Sequence, residues 1–386
     1  MSIMESTSQK SAAPTSTDED VIALIDQAQF RLDPAEKERR LCAVLSAQVD
    51  RHASALPAYA RLVDRLGFGN GPRARYEDIP FVHVSAFKKF ELRSVPQDKV
   101  VRVVTSSATT SGTPSRIHID KPTSFRQTKA LAATLTDVLG KARRPYLVLD
   151  AAESNAASSS LSARGAAIRG LLPFASDVTY ALDLNGTTLV PNEDRMRAFF
   201  DKNADRSPLL FGFTYIVWSV VVAELGRRGT SFGPAPGAAL LHSGGWKKLT
   251  ELAVDKDVFA SKVGAIFGMP ASHVLDFYGM AEQVGVVFVD CTAGNKHPPD
   301  FADVLLRNPL TLDRVRPGEA GLIEVLSILP ESYPGQALLT DDVGILVGED
   351  GCACGRRGRH FRIRSRVAQA EVRGCGDTFA QKRVVG

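Results

Sequence analysis

The stretch VVRVVTSSATTSGTPSRIHID, residues 100–120, places small hydroxyl side chains between two runs of β-branched residues. Backbone N–H groups and hydroxyl donors in such a loop can surround the oxygens of a phosphate group. The residues that supply this chemistry are Ser106, Ser107, Thr109, Thr110, Ser111, Gly112 and Thr113. The loop does not contain the G-x-x-x-x-G-K-[ST] sequence, and surface turns rich in Ser and Thr are common. The pattern therefore leaves two interpretations open, a phosphate-binding loop and a polar surface turn.

Five cysteines could supply thiol chemistry: Cys42, Cys291, Cys352, Cys354 and Cys375. An odd and scattered set in a chain of 386 residues is not typical of a disulfide framework. Cys352 and Cys354 form a C-x-C pair near His360, whereas a zinc site usually takes two ligand pairs. We therefore expect a turn at this pair, and buried packing roles for Cys42 and Cys291. The pattern alone does not determine whether the C-x-C pair binds a metal.

The composition is that of an ordinary globular protein, with 44% hydrophobic residues, 23% charged residues and a net charge of +4. Charges of both signs are interspersed except in the basic segment 355–366, so we expect no nucleic-acid partner. No apolar stretch reaches the roughly 20 residues that span a membrane, and the N-terminus lacks a signal-peptide pattern. We expect a disordered leader over residues 1–20 and a cytoplasmic location.

The elements that must position these residues alternate between helix and strand. Helical periodicity predicts two or three helices up to Leu66, with Asp33 capping a helix that has Pro34 in its first turn. PYLVLD and GAALLHS are apolar runs of buried-strand length, and residues 207–225 predict a buried helix. Such alternation favours an α/β fold. We expect a main domain over residues 21–316 and a strand-rich subdomain with a tail over 317–386.

Several stretches, taken in order, resemble the adenylate-forming ligases. TTSGTPS resembles their ATP loop, DFYGMAEQ their Tyr-Gly-x-Thr-Glu motif and LLTDDVG their Thr-Gly-Asp motif. PAYARLVDRLGF, IPFVHVSAFKKFELRSV, HSGGWKKL and AEVRGCG narrow the resemblance to the LuxE-type acyl-protein synthetases, over about residues 20–376. The resemblance implies the N-terminal domain of an adenylate-forming ligase, with mixed sheets flanked by helices and without the full mobile C-terminal domain.

The resemblance also implies which residues bind the nucleotide. Residues 107–115 would form the phosphate loop, and the Gly244–Gly245 pair would border the adenine and the acyl group. Tyr278 would lie against the adenine ring, where a flat aromatic face allows stacking. Gly279 would let the ligand approach the backbone closely. Asp342 would accept hydrogen bonds from the ribose hydroxyls.

Further residues carry charge or reactive groups in the implied reaction. Glu282 would hold Mg²⁺, a hard ion that takes carboxylate and phosphate oxygens. Arg366 would reach the ribose or the α-phosphate. Larger relatives bring a catalytic lysine from the mobile domain, so here either Lys247 or Lys248 supplies a cation, or the tail moves. Cys375 matches the acyl-carrying cysteine, whose thiolate would attack the acyl-adenylate.

The implied function is ATP- and Mg²⁺-dependent activation of a carboxylic acid, by default a fatty acid, with transfer to Cys375 and on to an acyl-reductase or another accepting partner. One alternative is a biosynthetic ligase that delivers the acyl group to coenzyme A, a carrier protein or an amine. Another alternative is a non-catalytic nucleotide-binding protein. Four departures from the ligase motifs motivate this last alternative: Thr109, Ser115, Ala281 and Asp341.

Overall fold

The computed structural model describes residues 18–68, 73–106, 114–153, 163–246 and 251–366, and the structural statements below concern these residues. The strands are β1 (Val82–His83), β2 (Val100–Thr105), β3 (Arg116–Asp120), β4 (Arg144–Ala151), β5 (Ala175–Asn185), β6 (Thr188–Pro191), β7 (Leu209–Phe213), β8 (Ala239–Ser243), β9 (Val274–Tyr278), β10 (Phe288–Val289), β11 (Ala302–Arg307), β12 (Ala320–Ser327), β13 (Ala337–Gly348) and β14 (His360–Arg366). The helices are α1 (Asp18–Asp26), α2 (Pro34–Ala55), α3 (Pro57–Arg65), α4 (Ala86–Lys89), α5 (Lys121–Leu139), α6 (Ala163–Gly170), α7 (Glu193–Lys202), α8 (Thr214–Ile216), α9 (Ala223–Arg228) and α10 (Lys256–Phe267).

The first sheet has seven strands in the order β10-β9-β8-β7-β4-β5-β6. Its five inner strands are parallel, and the edge strands β6 and β10 are antiparallel to their neighbours. The inner strands β4, β7 and β8 are almost entirely buried, as parallel strands covered on both faces must be. Apolar side chains from α5, α6, α7 and α10 complete one core around this sheet.

The second sheet has five strands and its own core. One edge of β13 pairs with β12, and β12 pairs in turn with β11. The other edge of β13 pairs with β1 near its start and with β14 further along. The sheet therefore contains strands that precede residue 317 in the sequence and strands that follow it. A domain boundary at residue 317 remains a prediction. Apolar residues of α1, α2 and α3 pack into the core of this sheet.

A two-stranded hairpin, β2 and β3, carries the hydroxyl-rich loop. Ser106 closes the base of that loop, because its backbone N–H donates to the Ser115 carbonyl at 3.2 Å and its Oγ accepts from the Ser115 N–H at 3.0 Å. Residues 107–113 lie outside the described residues. The hairpin thus brings the two ends of the loop together.

The N-terminal helices form largely as the sequence predicts. Asp33 caps α2 by accepting from the backbone N–H groups of Ala35 and Glu36 at 3.0 and 3.4 Å, and Pro34 occupies the first turn. Helix α1 begins at Asp18, inside the predicted leader, whose residues 1–17 lie outside the described part of the chain. None of the described helices is both long and apolar enough to cross a membrane.

The predicted helix over residues 207–225 is wrong in its first part. Leu209–Phe213 form β7 at the centre of the first sheet, and helical structure begins only at Thr214. A central parallel strand is buried on both faces, so its sequence is a continuous apolar run without the alternation that would distinguish it from a buried helix. The helical part contains a π-helical segment, Val217–Val222, between α8 and α9.

One histidine is fully buried in the helical layer. His52 on α2 is 0% exposed, its Nδ1 lies 2.7 Å from Ser94 Oγ, and its ring meets the edge of Tyr59. Burial lowers the pKa of His52 from its ordinary 6.5 to about 3, and the nearby Arg51 adds to this shift. The folded protein therefore keeps His52 neutral at pH values where an unfolded histidine is charged.

We expect His52 to make the protein less stable in acid. In the unfolded state His52 becomes protonated below its ordinary pKa of 6.5, whereas in the folded state it stays neutral down to about pH 3. The stability that is present above pH 6.5 is therefore lost progressively as the pH falls from 6.5 towards 3. One such proton gives a slope of at most about 1.4 kcal/mol per pH unit. Urea unfolding from pH 7 to pH 4 should show a shallower slope for His52→Asn than for the wild type. His273→Asn, at a half-buried site elsewhere, is the control; equal slopes for wild type and His52→Asn would contradict the prediction.

Candidate active site

The carboxyl ends of the parallel strands in the first sheet meet at one edge, and the candidate residues follow two of these ends. Gly244 and Gly245 follow β8 directly, and Gly279 follows β9. Glu282 lies a few residues later, in the short 3₁₀ turn Ala281–Gln283. Open parallel sheets bind ligands in crevices outside the carboxyl ends of their strands. The fold thus brings these four predicted residues to the edge where a ligand would bind.

A hydrogen bond connects this edge to the second sheet. The Tyr278 hydroxyl, at the end of β9, donates to Asp342 Oδ2 on β13 at 2.9 Å. Both side chains are partly buried. One face of the Tyr278 ring stacks on Phe288 of the neighbouring strand β10, with 6.0 Å between ring centroids and 17° between planes. Two residues that lie 64 positions apart in the sequence are therefore neighbours in one site.

Asp342 reaches this position because the second sheet is irregular there. Leu322 on β12 faces Val343 and Glu324 faces Leu339, so the single residue Ile323 faces the three residues of β13 from Thr340 to Asp342. The Thr340 hydroxyl donates to the Ile323 carbonyl at 2.8 Å and accepts from the Asp342 N–H at 3.1 Å. A bulge of this kind redirects side chains, and the Thr340 hydroxyl bonds to backbone groups on both strands of the irregular pairing.

The backbone of Arg366 lies opposite Asp342 in the pairing of β13 with β14. Its side chain lies outside the described part of the structure. The ladder therefore carries the predicted arginine alongside Asp342, and its role remains a prediction.

Glu282 is held by the loop that precedes β13. Its backbone carbonyl accepts a hydrogen bond from the Tyr333 hydroxyl at 3.0 Å, and the side-chain amide of Gln283 donates to the Gly335 carbonyl. Burial raises the pKa of Tyr333, so this hydroxyl remains a donor. Glu282 itself is 9% exposed. A second set of contacts thus fixes the turn of the first sheet against the second sheet.

Backbone conformation explains two of the candidate glycines. Gly244 and Gly245 have φ values of +90° and +57°, which residues with a side chain rarely adopt. A Cβ atom on Gly244 would also lie 2.8 Å from the Phe213 ring. The glycine pair therefore allows the chain to turn sharply as it leaves β8.

An aromatic cluster lies next to this turn. Trp246 follows the glycine pair, and its ring centroid is 5.8 Å from that of Trp218 in the π-helical segment. Trp218 stacks on Phe259 of α10 at 5.9 Å, and His242 of β8 lies 4.6 Å from the same ring. The His242 Nδ1 is 2.9 Å from Thr214 Oγ1, and burial lowers the pKa of His242, partly opposed by Asp276. His242 is thus a neutral, buried residue behind the glycine turn.

A buried ion cluster supports the same strand. The Lys296 Nζ lies 2.7 Å from Asp276 Oδ2 and 3.1 Å from Asp290 Oδ1, and Lys256 lies 2.6 Å from Asp290. Burial alone would lower the pKa of Lys296, but the two carboxylates outweigh it and hold that pKa above its ordinary value. Because Lys296 is only 2% exposed, its charge orders β9 and does not face a substrate.

Several predicted site residues lie outside the described residues: Ser107, Thr109, Thr110, Ser111, Gly112, Thr113, Lys247, Lys248 and Cys375. The sequence alone assigns no role to Tyr333, Thr340 or Phe288, although Thr340 belongs to the LLTDDVG motif. Phe288 could have been found, because the strand-turn-strand pattern after residue 273 pairs it with Tyr278. No local signal identifies Tyr333, whose contact with Glu282 depends on the packing of the two sheets.

A cavity of about 380 Å³ lies elsewhere, at the amino ends of the parallel strands. Arg144, Ala239 and Leu275 line it, and these residues lie at or next to the starts of β4, β8 and β9. It is separate from the candidate site, which is at the carboxyl ends.

Comparison with known proteins gives consistent results. Residues 6–384 match the family described as acyl-protein synthetase, LuxE. The chain is 25% identical, over 99% of its length and 97% of the relative's length, to the long-chain-fatty-acid–luciferin-component ligase of Vibrio harveyi. Among solved structures, an open conformation of 2-hydroxyisobutyryl-CoA ligase with 2-HIB-AMP and CoA is similar, with a TM-score of 0.63, 16% identity and coverage of 94% of this chain and 81% of that one. The same ligase in its postadenylation state has a TM-score of 0.63, 17% identity and coverage of 87% and 69%. These likenesses of structure establish the fold.

We expect Gly244→Ala to destabilise the protein by about 1–3 kcal/mol, because it forces a side chain into a left-handed conformation and against Phe213. Gly226→Ala is the matched control, since Gly226 lies in α9 and a Cβ added there would meet no atom of the rest of the structure within 4 Å. That substitution should be neutral or stabilise by up to about 1 kcal/mol. Thermal and urea unfolding of both variants would measure the difference, and equal stabilities would show that the turn tolerates a side chain.

Proposed function

The chain belongs to the LuxE acyl-protein synthetase family and is an acyl-adenylate-forming ligase, and from that premise we propose that it activates a fatty acid with ATP and carries the acyl group on Cys375. The observation that supports this proposal most directly is the contact between Tyr278 and Asp342. It places an aromatic ring and a carboxylate side by side at the carboxyl edge of the first sheet. A ring that stacks on adenine and a carboxylate that accepts from ribose hydroxyls together suit a nucleoside.

In the proposed complex, adenine takes the face of Tyr278 opposite to Phe288. A carboxylate can accept about four hydrogen bonds, so Asp342 would accept from the ribose hydroxyls while it accepts from Tyr278. The loop that begins at Ser106 would surround the β- and γ-phosphates with its hydroxyl and backbone N–H groups.

The residues at this edge fit a magnesium ion. Mg²⁺ usually binds through one or two carboxylates together with substrate phosphates, and Glu282 offers one carboxylate, placed by the backbone contact with Tyr333. When bound, the ion would neutralise charge on the phosphate oxygens. Glu282 would hold it at the same edge as the proposed nucleotide.

The proposed reaction has two displacements. A carboxylate oxygen of the fatty acid attacks the α-phosphorus of ATP, the bond from that phosphorus to the bridging oxygen breaks, and pyrophosphate leaves. The Cys375 thiolate then attacks the acyl carbon, the bond to the AMP oxygen breaks, and a thioester forms. Lys247, Lys248 or Arg366 would offset the negative charge that develops at the α-phosphate. A reductase that accepts the acyl group from the thioester would be the partner.

The aromatic cluster supports a long apolar acyl group. Trp246, Trp218 and Phe259 lie immediately beyond the Gly244–Gly245 turn, and the two tryptophans are only partly buried. Apolar surface at the edge of a site favours an apolar ligand, because its burial contributes about 25 cal/mol per Å². The name of the Vibrio harveyi relative specifies a long-chain fatty acid, which agrees with this inference.

Acyl transfer to Cys375 can be tested with a radiolabelled fatty acid. After incubation with ATP and Mg²⁺, we expect label to remain on the denatured wild-type protein, to be released by hydroxylamine and to be absent from Cys375→Ser. Cys42→Ala is the matched control and should keep the label, because Cys42 is buried and burial raises the pKa of its thiol to about 12. Label that appears only on added coenzyme A or another small acceptor would instead support the alternative ligase function.

The nucleotide site can be tested by fatty-acid-dependent exchange of pyrophosphate into ATP. Asp342→Asn should raise the KM for ATP about tenfold or more, because a hydrogen bond to a charged group contributes about 1.5–3 kcal/mol. Tyr278→Phe should have a smaller effect, and the double variant should lose less than the sum of the two, since the residues contact each other. Tyr180→Phe, on β5 of the same sheet, is the control for loss of a hydroxyl. Additive effects would mean that the contact does not support binding. No exchange with any member of a broad panel of carboxylic acids would favour a non-catalytic role, and exchange only with acids other than fatty acids would contradict the proposed substrate.

A further inference from the structure

Four side chains that could bind a metal converge at a place away from the candidate active site. They are Cys291, His297, Cys352 and Cys354, and their sulfur and nitrogen atoms all lie within 4.8 Å of one another. His297 is 0% exposed, Cys291 and Cys352 are 7% and 8% exposed, and Cys354 is partly buried. Cys352 and Cys354 occupy the predicted turn. Cys291 and His297, which are distant in the sequence, lie next to them.

The spacing of these atoms fits a tetrahedral zinc site. With Zn–S bonds of about 2.3 Å and Zn–N bonds of about 2.0 Å, tetrahedral angles place two sulfurs about 3.8 Å apart, and a sulfur and a nitrogen about 3.5 Å apart. The Cys291 and Cys352 sulfurs are 3.9 Å apart, and the Cys354 sulfur is 3.4 Å from His297 Nε2. The sulfur–sulfur distance is far longer than the roughly 2.05 Å of a disulfide bond.

Two segments of the chain supply the four residues. Cys291 and His297 lie in the segment that follows β10, where the Cys291 N–H donates to the Asn295 carbonyl at 2.8 Å. Cys352 and Cys354 lie in the connection between β13 and β14, where the Gly355 N–H donates to the Cys352 carbonyl at 2.9 Å. Backbone hydrogen bonds thus hold each pair in its own turn before any ion binds.

The surroundings would stabilise thiolates and orient the imidazole. The Cys352 sulfur accepts from the Asn295 side-chain amide at 3.5 Å, and the Cys354 sulfur accepts from the Arg356 N–H at 3.4 Å. The His297 ring stacks on His360, with 5.4 Å between centroids and 15° between planes. Three thiolates and one Zn²⁺ carry a net charge of −1, so N–H donors to sulfur are the contacts that such a site needs.

We propose that these four residues bind one zinc ion in a closed structural site. Four protein ligands leave no position for a substrate or a reactive water, which distinguishes a structural from a catalytic zinc. The thiols release their protons as the ion binds, and the metal–sulfur and metal–nitrogen bonds form without oxidation or reduction. Cys291 and Cys354 also line the 380 Å³ cavity, which gives the ion a route of entry.

The ion would hold two parts of the molecule in a fixed relative position, which the proposed active site requires. It would join the segment after β10, in the first sheet, to the connection that leads into β14 of the second sheet. β14 pairs with β13 so that Arg366 lies opposite Asp342. The proposed zinc therefore anchors the strand that carries this arginine, and the ion would bind to these four residues whatever reaction the enzyme performs.

The test begins with the wild-type full-length chain, purified in reducing buffer from cells grown with added zinc. Elemental analysis should find about one zinc per chain, the capacity of a single four-ligand site. Protein refolded with Co²⁺ should show the visible bands of a tetrahedral cobalt site with thiolate ligands. A chelator that removes the zinc should lower the melting temperature. These measurements need no variant, so they remain valid if a substituted chain fails to fold.

Variants then identify the ligands. Cys352→Ala, Cys354→Ala and His297→Asn should each lower the bound zinc at least tenfold. Cys42→Ala and His83→Asn are matched controls that change the same residue types away from the ligand set and its contacts, and both should retain one zinc. Zinc content far below one per chain in the wild type, a disulfide between Cys291 and Cys352 in the reduced protein, or retention of zinc by the ligand variants would overturn the proposal.

Discussion

The candidate active site depends on the hydrogen bond between Tyr278 and Asp342, because it is made by side chains from two different sheets. Neither sheet alone brings together an aromatic ring, a carboxylate and a glycine turn. The relative position of the sheets must therefore be fixed to within a fraction of an ångström for the bond to form. A bond between partly exposed groups contributes only about 0.5–3 kcal/mol, too little to hold two sheets in place. Other contacts must therefore fix the relative position of the two sheets, and the Tyr278–Asp342 hydrogen bond forms only when that position is correct.

Those other contacts surround the site on several sides. The Tyr333 hydroxyl, in the loop before β13 of the second sheet, donates to the Glu282 carbonyl. Lys296, after β10 of the first sheet, and Phe361, on β14 of the second sheet, exchange backbone hydrogen bonds of 2.9 and 3.0 Å. The ion pairs of Lys296 with Asp276 and Asp290 restrict the movement of β9, which carries Asp276. Taken together, these interactions remove the freedom of β9 and β13 before a ligand arrives, so that binding energy need not be used to assemble the site.

Much of this fold is predictable from local sequence, and the rest depends on distant contacts. The cap at Asp33, the buried strands β4 and β8 and the hairpin around Ser106 follow from capping, apolar runs and alternation. The apolar run of β7 predicts a helix instead of a strand, because a strand buried on both faces shows no alternation of apolar and polar residues. The motifs also placed Tyr278 and Asp342 in one site, but neither the bulge that turns Asp342 towards Tyr278 nor the approach of Cys291 and His297 to the C-x-C pair has a local signal. The bulge depends on the pairing of Leu322 with Val343, 21 positions later, and the cysteine cluster depends on the approach of Cys291 and Cys352, which lie 61 positions apart.

The bulge at Thr340–Asp342 also limits how the length of this chain can change. β13 continues beyond the bulge to Gly348, and there its pairing partner on one side is β14. Successive side chains of a strand point to opposite faces, so an insertion or deletion of one residue at the bulge would exchange the faces of every later position of β13. Buried Leu346 would then point to solvent, and the offset would pass through the ladder to β14. Sequence changes in this segment are therefore restricted to substitutions.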